Sequence, residues 1–314
     1  MKYSIITPVY NRADCVARCL DSVIRNLQWG IDIEHIVVDD GSHDDSPNIV
    51  REYAEQCSHI RFIPFPQNRG TNAARNAAIS AATGDYCIIL DSDDYFVDDA
   101  IKQINIVVTK QSYLHYFFMP DDMVDIHQQC PILKGKHITE ITYEDLLFGR
   151  VDGDFIHVFS TKIAKKYPFD EELRINEAVF FQRMHKEEKV VLFNDQIVTI
   201  RERGRVDSVS LTCNRADTKA IERSIKAAKY WIEWFGVDYL KCEEGRKSMS
   251  NLLCKIFNYS LILSDYQEAR IALDKIKKNQ LEWPQLYLRI IYHFRIGWLY
   301  KIVGVIYVKL KNNK

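Results

Sequence analysis

The chain has 314 residues, of which 47% are hydrophobic and 27% are charged, and its formal net charge is −1. These values are typical of a folded protein with one large domain or two smaller ones, and the lack of a basic excess argues against nucleic acid as a partner. The eight cysteines form no CxxC pair, which favours reduced core thiols over a disulfide or zinc framework. Because no signal peptide and no apolar run of about 20 residues is visible, we expect a cytoplasmic protein that does not cross a membrane.

The first hundred residues alternate short apolar runs with longer helical patterns. Strands are predicted at 3–9, 33–38, 60–65 and 86–90, and helices at 13–26, 46–56, 71–82 and 99–110. Strands that alternate with helices of this length indicate right-handed βαβ units, and therefore an α/β fold built on a parallel sheet.

Polar residues end or follow three of these predicted strands, namely 7–11 (TPVYN), 39–40 (DD) and 91–93 (DSD). Ligands of parallel sheets bind at the carboxyl ends of the strands, so we expect the three segments to line one crevice. Crowded carboxylates repel one another, and a Mg²⁺ or Mn²⁺ ion that bridges them to a phosphate is one explanation. An acidic turn before a helix is the other. No GxGxxG or P-loop string follows a strand, which removes the main support for a dinucleotide or P-loop site.

Four strings occur in order within the first hundred residues: TPVYN, VDDGSHD, NRGTNAARN and TGDYCIILDSDD. Their order and separation resemble a family 2 glycosyltransferase with the GT-A fold, of the type that builds bacterial surface polysaccharides. The similarity is dense over roughly residues 1–100, thinner to about 210 and absent beyond. It implies a Rossmann-like, nucleotide-binding α/β fold with a mixed, mostly parallel sheet, helices on both faces and an α-helical C-terminal extension.

The resemblance implies a site for a nucleotide-sugar, usually a UDP-sugar. In that picture the base is surrounded by the first two strings, the pocket floor is formed by the third, and the acids of the fourth reach the ribose and a metal ion. The implied donor-site residues are Pro8, Tyr10, Asn11, Asp39, Asp40, Asn68, Gly70, Arg75, Asp91 and Ser92, and the implied ligands of Mn²⁺ or Mg²⁺ are Asp93 and Asp91.

Structural roles stay open for several of these residues. The acids at 39–40 could form a turn and helix cap, and the segment 68–70 could be a plain loop. Arg75 could be the buried ion-pair partner of one of the acids, since arginine suits such pairs.

A helix is predicted over 171–187, on the acceptor side of such folds. In the family this segment usually begins with Glu-Asp, and the Asp removes the acceptor hydroxyl proton in a single inverting displacement. Here the pair is Glu177-Ala178, and loss of a positioned base typically costs ~10²–10⁴ in rate. Three explanations stay open: an engineered replacement that traps a substrate complex, Glu177 as the base if the segment is not yet helical, or a natural binding protein without transfer activity.

The middle of the chain predicts β-like runs at 112–119, 132–138 and 154–160, a capped helix at 142–147, and a hairpin from 190–193 and 196–201. Three arginines follow, Arg201, Arg203 and Arg205. They could form a lid over the diphosphate or an ordinary solvated charge run.

Composition changes after Cys213, so we divide the chain into 1–212, a glycosyltransferase domain, and 213–314, a helical region. Within the first domain, 1–100 is the predicted nucleotide-sugar half and 101–212 the acceptor half. Helices are predicted at 217–235, 242–263 and 265–278. The stretch 283–314 is basic and aromatic, which indicates either an interfacial helix on anionic lipid or a packed helix, for example at a homodimer contact.

Together with these features, the resemblance implies inverting, Mn²⁺- or Mg²⁺-dependent transfer of a sugar from a nucleotide-sugar to a saccharide or lipid-linked saccharide. The expected setting is surface polysaccharide or lipopolysaccharide synthesis, on the inner face of the cytoplasmic membrane. One alternative is a non-catalytic nucleotide-sugar binding protein. The other is a sugar-nucleotide nucleotidyltransferase, which usually begins with a Gly-rich loop that this N-terminus lacks.

Overall fold

The structure is a computed structural model that describes residues 1–173, 176–203, 218–284 and 286–295. It divides into two compact units, residues 1–205 and 206–314. The predicted domain boundary near 212–216 falls within 204–217, outside the described residues, and stays a prediction.

The first unit is built from nine strands and eight α-helices among its described residues. The strands are β1 (Lys2–Val9), β2 (Asp32–Asp39), β3 (Ile60–Pro64), β4 (Tyr86–Ile89), β5 (Tyr95–Phe96), β6 (His115–Pro120), β7 (Ile138–Thr142), β8 (Ile156–Ser160) and β9 (Val190–Ile200). The helices are α1 (Val16–Asn26), α2 (Ser46–Gln56), α3 (Thr71–Ala81), α4 (Ala100–Lys110), α5 (Val124–Gln129), α6 (Tyr143–Leu147), α7 (Thr161–Lys166) and α8 (Ala178–Glu188).

These strands form one mixed sheet in the order β3-β2-β1-β4-β8-β6-β9-β5, with β7 paired to β9. The first four strands are parallel, as the βαβ pattern predicted. Beyond β4 the sheet continues with β8, which is antiparallel to both β4 and β6, while β6 and β9 are parallel. The α/β class predicted from the sequence is therefore confirmed.

Alternation along β1 places apolar side chains on both faces of the sheet. Tyr3 and Ile5 pack with α1 and α4 on one face, whereas Ile6 packs with α3 and α8 on the other. All three side chains are fully buried. Helices thus cover both faces, as expected, and the carboxyl ends of the parallel strands stay accessible at one edge.

Three predictions for the second half were wrong. The predicted hairpin at 190–201 is one continuous strand, β9. The predicted extended run at 132–138 consists mainly of turns, and strand β7 begins only at Ile138. The helix predicted within 171–187 begins only at Ala178. The capped helix at 142–147 is confirmed, since Thr142 and Asp145 form a complete capping box on α6.

The second unit contains α9 (Thr218–Tyr239), α10 (Glu243–Ile262), α11 (Tyr266–Lys278) and α12 (Leu286–Phe294). Helix α9 packs on α10 and α10 on α11, in agreement with the predicted helical region. None of the described helices is both long enough and apolar enough to cross a membrane. No disulfide joins the cysteines that the structure describes, which are Cys15, Cys19, Cys57, Cys87, Cys130, Cys242 and Cys254.

Candidate active site

The candidate site lies where β1 is flanked by β2 on one side and β4 on the other, which is where the strand order reverses. Val9 pairs with Asp39 at the carboxyl ends of β1 and β2. On the other side of β1, the N–H of Leu90 donates to the carbonyl of Ile6 over 2.9 Å. The polar segments that follow β1, β2 and β4 therefore meet at one edge of the sheet, where ligands of open α/β sheets bind.

Asp39 is buried, and only one of its two carboxylate oxygens has a hydrogen-bond partner in the protein. Its Oδ2 accepts a hydrogen bond from the N–H of Ser42 over 3.0 Å, whereas its Oδ1 is buried with no hydrogen-bond partner. A buried carboxylate oxygen without a donor is costly, so this atom is suited to accept a hydrogen bond from a ligand. Tyr10, beyond the end of β1, is 39% exposed and offers an aromatic face at the same edge.

Asp40 has a different role, although it is adjacent. Its two carboxylate oxygens accept hydrogen bonds from the N–H groups of Arg69 and Gly70, over 2.7 and 2.8 Å. Asp40 therefore holds the loop before α3, a role that differs from the local turn and helix cap considered from the sequence. Gly70 has φ +96°, and Asn68, two residues earlier, is exposed at the surface.

Pro8 and Asn11 shape the connection from β1 to α1. Pro8 is buried inside β1, past the last pair that β1 makes with β4, where a missing N–H is tolerated. Asn11 has φ +51°, a left-handed conformation that asparagine adopts more readily than most residues. Its Oδ1 accepts from the N–H of His43 over 2.8 Å, and its own N–H donates to Ser42 Oγ over 2.9 Å. The loops after β1 and β2 are thus tied together.

Arg75, on α3, is a buried bridge between Asp91, which follows β4, and Glu177, which precedes α8. It is 7% exposed, and its guanidinium donates to Asp91 Oδ1 over 3.0 Å and to Glu177 Oε1 over 2.7 Å. The alternative of a buried ion pair is therefore confirmed. Burial opposes the charge, but Asp91 and Glu177 together raise the pKa of Arg75 above its ordinary value.

Glu177 is the residue before α8, and Ala178 is the first residue of that helix and is exposed. The backbone of Glu177 is already helical, with φ −59° and ψ −28°. Its side chain points to Arg75, which brings this position to the acids that follow β4.

The segment after β4 gathers three carboxylates, those of Asp91, Asp93 and Asp94. Asp91 is about half exposed despite its bond to Arg75, and Asp93 lies 3.6 Å from Nε of Arg12, measured from Oδ2. Burial, together with the charges of Asp91 and Asp93, raises the pKa of Asp94 to about 8. This crowding of hard oxygen donors fits a divalent cation, which would relieve the repulsion. Ser92, between these acids, is buried.

Asp94 was not among the predicted site residues, although it is the last acid of the DSDD string. Its Oδ1 accepts from the N–H of Glu202 over 3.0 Å, and Nε of Arg201 lies 3.9 Å from its Oδ2. Only the structure shows that residues so far along the chain reach the site.

Two of the three arginines that follow β9 are engaged by carboxylates, and whether they form a lid over the diphosphate stays a prediction. Arg201 also donates to Asp154 over 2.9 Å, and Arg203 donates to Asp121 over 2.6 Å. Both are held by carboxylates beside the sheet. Arg205 lies outside the described residues.

Residues 4–105 match the family described as glycosyl transferase family 2. The chain is 40% identical over 102 residues to a poly(ribitol-phosphate) beta-glucosyltransferase of Bacillus spizizenii, which covers 32% of this chain but only 16% of that protein. It is 24% identical over 297 residues to a GalNAc(5)-diNAcBac-PP-undecaprenol beta-1,3-glucosyltransferase of Campylobacter jejuni, with 92% of this chain and 93% of that protein covered.

Solved structures agree on the fold. The structure of S. aureus TarS 1–349 in complex with UDP-GlcNAc matches with a TM-score of 0.62 and 17% identity, over 98% of this chain and 92% of that one. A mannosyltransferase from Pyrobaculum calidifontis, solved with GDP-Man and Mn²⁺, matches with a TM-score of 0.54 and 15% identity, over 97% and 86%. Residues 4–105, with their parallel strands and the acids at the carboxyl ends of those strands, therefore form a glycosyl transferase family 2 domain, and the described chain has the GT-A fold of the solved glycosyltransferases.

Proposed function

We propose that this protein transfers a sugar from a nucleotide-sugar, a UDP-sugar in our interpretation, to a saccharide acceptor. The main observation in favour of a donor site is the buried Oδ1 of Asp39, which has no hydrogen-bond partner in the protein. Uracil presents an N–H at ring position 3, which can donate to that oxygen, and the exposed ring of Tyr10 can cover the base. The named relatives and the TarS complex with UDP-GlcNAc support this assignment.

We assign a divalent cation, Mn²⁺ or Mg²⁺, to Asp93 and Asp91. The carboxylate oxygens suit a hard ion, and burial, together with the nearby charges of Asp91 and Asp93, raises the pKa of Asp94. When bound, the ion stabilises the negative charge that develops on the departing diphosphate, so no general acid is needed. Arg75 holds Asp91 in position, and Arg12 lies beside Asp93.

We propose that transfer inverts the sugar's anomeric configuration in a single displacement. The acceptor hydroxyl must then lose its proton on the side of the sugar opposite the diphosphate, and α8 begins with the residues assigned to that side. One oxygen of Glu177 is engaged by Arg75, and Ala178 has no group that accepts a proton. The chain as given is therefore slow at this step, and Ala178 is the observation that favours a nucleotide-sugar binding protein as the second candidate.

The donor site is tested by exchanging one atom at Asp39. In Asp39→Asn, the N–H of Ser42 selects the amide oxygen, so the amide NH₂ replaces Oδ1 and faces the N–H of uracil. We expect UDP to bind about 10–100-fold more weakly in the presence of Mn²⁺, since hydrogen bonds to charged groups contribute about 1.5–3 kcal/mol. CDP presents an acceptor at ring position 3, so it should bind this variant better than it binds the unchanged protein.

Isothermal titration calorimetry measures both affinities. Asp32→Asn is the matched control, because Asp32 is an exposed acid at the opposite end of the same strand, and its loss should leave UDP binding unchanged. Equal UDP affinity in Asp39→Asn and the unchanged protein would overturn the assignment of Asp39, and no uptake of any nucleoside diphosphate would overturn the donor site.

We further propose that the acceptor is a lipid-linked saccharide of surface polysaccharide or lipopolysaccharide synthesis, met at the inner face of the cytoplasmic membrane. The Campylobacter jejuni relative, whose name includes an undecaprenol-linked glycan, supports this acceptor class. The stretch 283–314 is basic and aromatic and suits the surface of anionic lipid. Co-sedimentation with anionic vesicles tests it: binding should be lost when the chain ends at residue 282, and undiminished binding would contradict it.

A further inference from the structure

A second cluster of ligating side chains lies in the acceptor half, apart from the acids that follow β4. It consists of His115 on β6, His157 on β8 and His185 on α8. One ring nitrogen from each lies within 4.8 Å of those from the other two. His115 and His185 are buried and His157 is half-buried, so these are not surface histidines that meet by chance.

The hydrogen bonds around His115 leave one of its nitrogens for the centre of the cluster. The side chain of Glu188 is fully buried, and its Oε2 lies 3.1 Å from Nδ1 of His115. That carboxylate accepts the Nδ1 proton, which leaves a lone pair on Nε2 of His115, 3.0 Å from Nδ1 of His157. A carboxylate that fixes the tautomer of a ligating histidine is the usual arrangement around protein-bound metals.

Two buried polar atoms in the cluster have no hydrogen-bond partner. They are Nε2 of His185 and Oε1 of Glu188. A metal-free chain of hydrogen bonds from Glu188 through His115 to His157 would satisfy the other atoms but would leave both of these without a partner. Buried polar groups of this kind call for an explanation, and an ion at the centre provides one for His185.

We propose that His115, His157 and His185 bind a zinc ion. Three nitrogens with this spacing all lie within about 2.8 Å of a common point, so shifts of under about 1 Å would bring them to the Zn–N distance of about 2.0–2.1 Å. Neutral imidazoles suit Zn²⁺ far better than Mg²⁺ or Mn²⁺, which prefer oxygen. With three protein nitrogens, the fourth ligand of a tetrahedral zinc site would be a water molecule.

The position of the site gives it a structural role. It joins α8 to β6 and β8, and His185 follows Ala178 by seven residues, or about 10 Å of helix. Zinc would therefore fix the helix that begins at the proposed base position, without taking part in donor binding. The proposal stands independently of the proposed transfer reaction.

The test is the zinc content of the protein without an affinity tag, because a polyhistidine tag binds zinc itself. After growth with added zinc and dialysis against metal-free buffer, we expect about one zinc ion per chain. His185→Asn removes the ligand that has no other partner, and its zinc content should fall at least about tenfold. Glu188→Gln weakens only the hydrogen bond that orients His115, so the zinc affinity of this variant should fall about 10–100-fold.

His127→Asn is the matched control. His127 is also buried, neither of its ring nitrogens has a hydrogen-bond partner, and it stacks on Phe155 outside the cluster. Its replacement should leave the zinc content unchanged. Co²⁺ added to the zinc-free protein should give the visible absorption of four-coordinate cobalt in the unchanged chain and in this control, and not in His185→Asn.

A measurement on the unchanged chain covers the case in which His185→Asn fails to fold. Zinc added to the EDTA-treated protein should raise the midpoint of thermal unfolding and saturate at one equivalent, while Mg²⁺ should not substitute. Less than about 0.1 zinc per chain together with no rise on adding zinc would overturn the proposal. Equal zinc content in the unchanged chain and in folded His185→Asn would overturn it as well.

Discussion

At the residue scale, neighbouring acids of the candidate site have different roles because they have different hydrogen-bond partners. Asp39 and Asp40 are adjacent at the end of β2, yet one keeps a free oxygen and the other has both oxygens on backbone N–H groups. Side chains alternate in direction along a strand, so two consecutive carboxylates at its end point to different surroundings. Here the first is suited to a ligand and the second holds a loop.

Ala178→Asp should restore a base where the family usually has one. We expect the rate of transfer from UDP-sugar to acceptor to rise by about 10²–10⁴, with UDP affinity unchanged, because the new carboxylate acts only on the acceptor proton. Product formation under saturating donor measures the effect. Ala178→Asn is the control of equal size, and it should remain as slow as the given chain.

Other results for Ala178→Asp would assign the catalytic base to another residue or argue against catalysis. If the given chain is already fast and Ala178→Asp changes little, Glu177 is the base, and Glu177→Gln should then abolish turnover. Slow turnover in every one of these chains, with donor binding intact, would favour the binding protein.

Asp94 should make stability depend on pH. With a pKa of about 8 in the folded chain and 3.8 in the unfolded one, Asp94 takes up a proton on folding at pH values between these two. The native state then holds the extra proton, so the free energy of unfolding falls as pH rises from about 4 to 8. In Asp94→Asn this fall should be smaller by about 2 kcal/mol between pH 6 and 8.

Urea unfolding at several pH values without divalent ions measures the effect of Asp94. Asp98→Asn, at an acid whose side chain is 75% exposed, is the control and should keep the original slope. Identical slopes in Asp94→Asn and the unchanged chain would contradict the assignment. Added Mn²⁺ should flatten the slope of the unchanged chain, since the ion stabilises the ionised acids.

The positions of the site's acids could be predicted from the sequence, but the separate role of each acid could not. The strings VDDGS and DSDD predict carboxylates at strand ends, and the structure brings them to one edge. Both oxygens of Asp40 are engaged by the N–H groups of Arg69 and Gly70. These groups belong to a loop about thirty residues further along the chain, so the sequence around Asp40 does not show this contact. The histidine cluster has no signal at all in the sequence, because its three members come from separate elements and no spacing links them.

At the element scale, the loop after β2 depends on Gly41 for its contact with the loop before α3. Gly41 has φ +71°, and a Cβ there would lie 2.5 Å from the carbonyl carbon of Gln67 and 2.6 Å from the backbone nitrogen of Asn68. The two loops can therefore approach only because this residue has no side chain. Their contact brings the Asp39-Asp40 turn and the Asn68–Gly70 loop together.

Gly41→Ala should therefore lower stability and UDP affinity together. Gly30→Ala is a matched control, since Gly30 has φ +66° but nothing within 4 Å of its would-be Cβ. Both changes incur the left-handed backbone penalty of about 1–2 kcal/mol, and only Gly41→Ala adds the clash. Thermal unfolding and calorimetry with UDP measure the two effects, and equal losses in both variants would contradict the role of the contact.

Strand β9 explains why the elements of the second half were harder to predict than those of the first. Residues Asn194, Asp195 and Gln196 look like a turn, which led to the predicted hairpin. In the structure Phe117 pairs with Phe193 and Met119 with Ile197, so two steps along β6 match four along β9, and the polar residues form a bulge. Local sequence cannot distinguish a bulge from a turn, because the partner strand decides. The parallel strands of the first half are bounded by their own helices and were predicted nearly to the residue.

At the scale of the whole molecule, the first unit contains every strand that the structure describes. A chain that ends at residue 203 should therefore fold and bind UDP with Mn²⁺, because its last strand ends at Ile200. A chain that ends at residue 189 lacks β9, which pairs with β5, β6 and β7, and should be insoluble. Circular dichroism and calorimetry compare them. Failure of the longer chain to fold would show that the helical unit is required.

The pairing of β4 with β8 also has a consequence for synthesis on the ribosome. The four parallel strands are complete once residue 89 has emerged, but one side of β4 stays bare for some seventy residues more, until 156–160 arrive. Because exposed strand edges can pair with other chains, we expect the nascent polypeptide to be most prone to aggregation during that interval. Ribosome-bound chains of increasing length should become protease-resistant in two steps, and a single step only at full length would rule this order out.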